Sequence, residues 1–174
     1  REHSPSKIIE VGGGTSTQIM LDAVKENDDN QTEILSIEPY PDEDLKQLAS
    51  NDNRITIRES AGQDVDVETY SQIQSGDVLF IDTTHTISTA NETVHLFLRV
   101  LPELPDGAII HIHDIYLPSD YSERAITSRH EYWTEQYLVH AFLLHNDKFE
   151  ILWAGNYMSQ NHRDELESVL PRPM

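Results

Sequence analysis

The stretch "IIEVGGGTST", Ile8–Thr17, decides how the rest of the chain is read. Two apolar residues, an acid and a valine lead into three glycines, and hydroxyl residues follow. "KIIEV" (7–11) reads as a short buried strand, and Thr15–Glu26 as a helix with Ile19, Met20, Ala23 and Val24 on one face. Glycines let the backbone take positive φ and let a ligand approach it closely. The free N–H groups of the helix start then face that ligand. Strand, glycines and helix in this order are a more specific signal than the glycines alone.

The alternation continues along the 174 residues. "EILSIE" (33–38) is a second strand stopped by Pro39 and Pro41, and Asp42–Ala49 a short helix opened by acids. "RITIRE" (54–59) alternates as a third strand near the sheet edge. Val67–Ile73 forms a short helix. "DVLFID" (77–82) is a fourth strand whose apolar middle suits a strand covered on both faces. Thr89–Leu101 reads as a helix with Val94, Phe97, Leu98 and Leu101 inward, and "AIIHIHD" (108–114) as a fifth strand. Glu131–Leu144 reads as a long amphipathic helix, "FEILWAG" (149–155) as a sixth strand, and Ser159–Leu170 as helical. The expected fold is α/β: one Rossmann-like, doubly wound, mostly parallel sheet with helices on both faces, spanning 1–174 as a single domain. Ligands of such sheets bind beyond the carboxyl ends of the strands.

Composition narrows the partners. The net charge of -19 disfavours nucleic acid and anionic membranes. The four lysines against 31 acids suggest adaptation to high salt; the plainer reading is an acidic cytoplasmic protein. There is no cysteine, which excludes disulfides, thiolate metal sites and a cysteine nucleophile. No apolar run approaches the roughly 20 residues that span a bilayer, and "REHSPSK" opens no signal peptide.

Three ligands could use the glycine loop. A phosphate-binding P-loop needs a lysine after the glycines, and none is there. A dinucleotide site wants G-x-G-x-x-G; Gly12 and Gly14 fit, but Thr17 stands at the third position. The third ligand is S-adenosylmethionine. Glu38, ending the second strand, can accept hydrogen bonds from both ribose hydroxyls of either nucleoside cofactor. Glu10 lies inside the first strand, where a carboxylate is costly unless paired. A ligand ammonium would give it a reason to be there; the alternative is that it binds helix or loop amides.

Asp82 and Asp114 end the fourth and fifth strands, with His85, His111 and His113 nearby in sequence. Carboxylates with imidazoles could hold a divalent metal or supply a general base. His111 and His113 should share one face of their strand. A histidine in a strand also often just bonds a neighbour, and that competes most strongly for His111.

These pieces, with "IEPYP" (37–41), "GDVLFIDTTH" (76–85), "LPELPDGAIIHIHDIYLPSDY" (101–121) and "WTEQYLVHAFLLHN" (133–146), resemble the class I S-adenosylmethionine-dependent methyltransferases, in the family labelled methyltransferase domain. The resemblance implies that Glu10, Gly12, Gly13 and Gly14 hold the methionine part. It implies that Thr15, Ser16 and Thr17 cap the helix and touch its carboxylate end. Glu38 would bind the ribose, Pro39 and Tyr40 would border the adenine, and Ser60, Ala61 and Gln63 would lie near its ring. Asp82 would close the site near the reactive methyl. By analogy with catechol-type relatives, Asp82 and Asp114 are the candidate ligands for magnesium or another divalent cation. His85 and His113 are the candidate bases, with Asp114 orienting them or holding a metal. The acceptor is expected to be a small molecule with an oxygen or nitrogen nucleophile.

The resemblance also implies a helix before the first strand and a seventh strand after the sixth. Neither is evident in this sequence, so a homo-oligomer covering an exposed sheet edge is a further expectation. The rival functions are a nicotinamide-dependent oxidoreductase, a metal-dependent hydrolase, and a non-catalytic module that kept the S-adenosylmethionine fold.

Overall fold

The computed structural model describes residues 3–27 and 31–170. They divide into two compact units. One holds the residues up to Thr84 and Ser88–His113; the other holds His85–Ile87 and the residues from Asp114 onward.

The first unit is built on five parallel strands: β1 (Lys7–Val11), β2 (Glu33–Ile37), β3 (Ile55–Arg58), β4 (Val78–Ile81) and β5 (Ile109–Ile112). Their order is β3-β2-β1-β4-β5. Between them run α1 (Thr15–Glu26), α2 (Glu43–Asn51), a 3₁₀ turn at Gly62–Asp64, α3 (Val67–Tyr70) and α4 (Glu92–His95). Helices flank both faces, the doubly wound arrangement expected from the sequence. The third strand lies at a sheet edge, also as expected. The order reverses between β1 and β4, and that reversal marks where such sheets receive ligands.

β1 is central, and from Ile8 to Val11 it is buried, Glu10 included. Alternation sends Ile8 to one face, where it joins Leu21 and Val24 of α1, Ile34 and Ile55 in one apolar cluster. α1 begins and ends where the sequence pattern placed it, but its inward face is Thr17, Leu21 and Val24, and Ile19 is exposed. Thr17 can sit inward because its hydroxyl finds a partner there, described below.

The expected helix at Thr89–Leu101 is broken up. Asn91 caps α4 by accepting from the Val94 amide. The chain then widens into a π turn at Leu96–Val100 and tightens into a 3₁₀ turn at Leu101–Glu103, which carries Pro102. Each change of pitch rotates the apolar stripe. Leu96, Phe97, Val100 and Leu101 are therefore buried, while Leu98 is exposed.

Asp77 fastens the start of β4 to the start of β1. Its carboxylate accepts from the Ser6 amide and hydroxyl, the Lys7 amide and the Gln74 amide, at 2.8–3.0 Å.

The second unit carries α5 (Glu123–Thr127), α6 (Glu135–Leu143), α7 (Gly155–Asn161) and α8 (Arg163–Val169). Here the sequence expectation of a sixth strand is corrected: "FEILWAG" forms no strand, and Ile151, Leu152 and Trp153 are exposed. A strand exists only through a ladder partner, and local apolar pattern cannot reveal whether one is in place. The terminal helix expected at Ser159–Leu170 is two helices, parted at His162, whose φ of -132° and ψ of 38° are not helical.

Burial pushes the Asp77 carboxyl up, but its hydrogen bonds win and hold it below the ordinary range. A depressed folded value stabilises above the unfolded value, near pH 3.9, and that contribution is lost as pH falls through the folded value. Asp77→Asn should cost about 1–2 kcal/mol near neutral pH. In denaturant titrations across pH, the gap to wild type should close on acidification.

Candidate functional site

Glu10 organises the glycine loop. Its Oε1 accepts from the Ser16 hydroxyl at 2.6 Å; its Oε2 accepts from Thr17 at 2.5 Å and from Ser36 at 3.0 Å. Thr17 Oγ1 also accepts from the Gly14 amide at 3.1 Å, tying the loop to the first turn of α1. Burial raises the Glu10 carboxyl above its ordinary range, the three hydroxyls oppose this, and the nearby Asp82 charge adds to the rise. Of the two sequence readings, the partners in place are protein groups, but they are hydroxyls rather than the amides expected.

The glycines are required by close approach. A Cβ on Gly12, at φ +95°, would stand 1.7 Å from the Asp82 carbonyl oxygen. On Gly13 it would stand 2.0 Å from Ser36 Oγ, the group that serves Glu10. Around Gly14 there is open space. So two glycines admit the sheet and its hydroxyl, and the third leaves room beside the helix start. Thr15 opens α1 from an exposed position, and Ser16 is half-buried.

Glu38 follows β2 directly, and its Oε1 accepts from the Tyr40 amide at 2.9 Å. Pro39 and Tyr40 are exposed beside it. After β3, Ser60 donates to the Ala61 carbonyl at 3.3 Å, and Gln63 lies in the 3₁₀ turn with a buried Oε1 that has no hydrogen-bond partner. Asp82 follows β4; its amide donates to the Val11 carbonyl at 2.9 Å. Its carboxylate stands 3.7 Å from His113 Nδ1. The rings of His111 and His113 share a face, 5.9 Å apart, and His111 stacks on Phe80 at 4.4 Å. Burial lowers the His111 pKa, His113 adds to this, and Asp82 opposes it.

In the second unit, His85 is buried and held between two acids. Its Nδ1 lies 2.9 Å from Glu135 Oε2 and its Nε2 lies 3.6 Å from Asp114 Oδ2. The expected helix at Glu131–Leu144 starts only at Glu135, because the Thr134 and Glu135 amides donate to the His85 carbonyl, at 2.8 and 3.0 Å. Trp133 stands outside the helix, its ring 4.8 Å from that of His85.

Among the described residues, no three or more His, Asp or Glu side chains are grouped to hold a metal ion. Asp82 and Asp114, the acids expected to ligate one, stand beside His113 and His85 respectively.

Residues 9–115 match a family model described as a methyltransferase domain. The chain belongs to that family. The match covers the end of β1, the glycine loop, the other four strands and their carboxyl ends, so a class I S-adenosylmethionine-dependent methyltransferase domain is present over those residues. A comparison with curated proteins gives no match. Among the described residues, no helix is long and apolar enough to cross a membrane.

Two participants escaped the sequence reading. Ser36 is an inward polar residue in an apolar strand, which is a usable signal for a partner to a buried acid. Glu135 was visible only as a residue on the helix after the fifth strand; its partner is 50 positions away.

The methyltransferase loop makes opposite demands on its glycines. Gly12→Ala should destabilise the fold by about 2–4 kcal/mol, through positive φ and overlap with Asp82. Gly14→Ala meets no neighbour and should cost less, about 1 kcal/mol, as for a weakened N-cap. Calorimetric melts of the two variants check this contrast.

Proposed function

We propose that the protein transfers a methyl group from S-adenosylmethionine to an oxygen or nitrogen nucleophile of a small molecule, with residues 1–174 acting as one methyltransferase domain. The observation that carries this reading is the loop at Gly12–Gly14, braced by Glu10, with open space at Gly14. The residues present fit the cofactor. Glu38, oriented by the Tyr40 amide, offers carboxylate oxygen to the ribose hydroxyls. The unpartnered Gln63 Oε1 suits the exocyclic amine of adenine. Ser60, Ala61, Pro39 and Tyr40 border that base. Gly13 and Gly14 with Thr15 and Ser16 receive the amino-acid tail, and Asp82 closes the end nearest the methyl.

Thr17 also favours this cofactor over a dinucleotide. A nicotinamide loop wants glycine at that position for close packing. Here the position is a buried side chain bonded to Glu10.

When bound, the cofactor supplies an electrophilic methyl carbon on sulfonium sulfur. The protein's work is to align the nucleophile and take its proton. His85 is the base, with Asp114 beside its Nε2, and His113 with Asp82 forms a second imidazole–carboxylate pair. His85 would take the proton that the acceptor loses on methylation, and the bound cofactor would supply the methyl carbon and keep the carbon–sulfur pair.

Photo-labelling with radioactive S-adenosylmethionine tests the cofactor without knowing the acceptor. Wild type should be labelled. Glu38→Ala should lose about tenfold or more in affinity, as expected for hydrogen bonds to a charged group. Transfer to a panel of phenols, hydroxy acids and amines tests the acceptor class, and His85→Gln should lower that transfer by about 10²–10⁴-fold. Absence of labelling by folded wild type would sink the reading.

A further inference from the structure

Glu10 puts a negative charge under the start of α1. Thr15, Ser16 and Thr17 open that helix, and the Glu10 carboxylate is bonded to the hydroxyls of the last two, at 2.6 and 2.5 Å. All three of its hydroxyl partners, Ser36 included, donate to it. Carboxyl oxygens that only accept belong to the ionised form. The Thr17 hydroxyl shows the direction most plainly: its oxygen accepts from the Gly14 amide at 3.1 Å while its proton goes to Glu10. An apolar residue at position 10 would fill the strand without desolvating a charge, so the acid is costly where it stands.

A helix start carries the positive end of the helix dipole and a set of free amides, and together these attract phosphate. Here the fold itself weakens both attractions. The Glu10 charge lies against the first turn and is fully buried, so water and salt screen it little. The Asp82 charge nearby has the same sign. Amides of the loop are also spent on protein acceptors. Gly12 donates to the Ile37 carbonyl at 3.0 Å, Gly14 to the Thr17 hydroxyl at 3.1 Å, and Thr17 to the Gly14 carbonyl at 3.1 Å.

We propose that Glu10 is the specificity-determining residue of the glycine loop: its charge beneath the helix start turns away phosphate and reserves the loop for a nucleoside whose 5′ substituent carries no net negative charge. The proposal rests on the reading of the loop as the S-adenosylmethionine site. It deepens that reading by assigning the choice of cofactor to one buried side chain, which acts through its charge without touching the ligand.

Adenosine and ADP differ only in the pyrophosphate, so the ratio of their affinities isolates this effect. Calorimetric titration of the full chain with each, and with S-adenosylhomocysteine, measures it at mildly alkaline pH without divalent cations. Wild type should bind adenosine about tenfold or more tighter than ADP. Glu10→Gln keeps the shape and removes the charge. Its ADP affinity should rise about tenfold, with adenosine within about threefold of wild type. Ser36→Ala removes one bond to Glu10, keeps the charge, and should preserve the wild-type ratio. Wild type that binds ADP as tightly as adenosine overturns the proposal, even where Glu10→Gln fails to fold. So does Glu10→Gln with both affinities lowered together, or Ser36→Ala with the same gain of ADP binding; either would leave Glu10 a structural brace. ADP matching adenosine in a chain that binds S-adenosylhomocysteine sinks this proposal alone. Folded protein that binds none of the three sinks the cofactor reading with it.

Discussion

A carboxylate with no exposure to water, held by three hydroxyls, is the constraint on which the first unit depends. Glu10 sits in the central strand, where an unpaired charge would be prohibitive. Satisfying it requires a hydroxyl from β2 and two from the first turn of α1. Those requirements fix where the helix begins relative to the sheet. They also press Ser36 against Gly13 so closely that no side chain fits there. The glycine loop is thus shaped from beneath by a polar knot and from the side by the Asp82 carbonyl. At Gly14 alone a side chain would meet no neighbour. A buried polar network of this kind stabilises only when every member is present, which makes the loop an all-or-none feature.

The second unit solves a related problem with a different residue. His85 is a buried imidazole in a strained backbone conformation, and both ring nitrogens look toward carboxylates. The segment that holds its backbone also supplies the acid on Nδ1. Orientation and electrostatics therefore come from consecutive residues, and a small displacement of α6 would disturb both together. Such coupling suits a group whose direction matters more than its mere presence.

The sequence exposed what local chemistry controls. The bounds of β1 and α1 were legible because the glycines and hydroxyls punctuate the chain there, though the inward face of α1 was not, since Thr17 takes an inward place through its bond to Glu10. The strand order could be anticipated only as parallel, with the third strand near an edge. Three features needed contacts that no local window contains. "FEILWAG" has the apolar run of a strand but no ladder partner among the described residues. The π turn at Leu96–Val100 rotated a helical stripe by a change of pitch that composition does not announce. Glu135 looked like an ordinary residue inside the helix expected at Glu131–Leu144; only its pairing with His85, 50 positions away, sets it apart. Asp82 and Asp114 were readable as strand-end acids, yet each faces a histidine, and the described side chains assemble no metal-holding group.

The central claim is that a polar knot beneath the glycines prepares the loop for a nucleoside with a charged amino-acid tail and no phosphate. Calorimetric titration of the wild-type chain with S-adenosylhomocysteine, alongside NAD, tests it most directly. The account predicts saturable binding of the homocysteine nucleoside at one site per chain and at least tenfold weaker binding of NAD. Folded protein that binds NAD tightly, or binds neither, would contradict it.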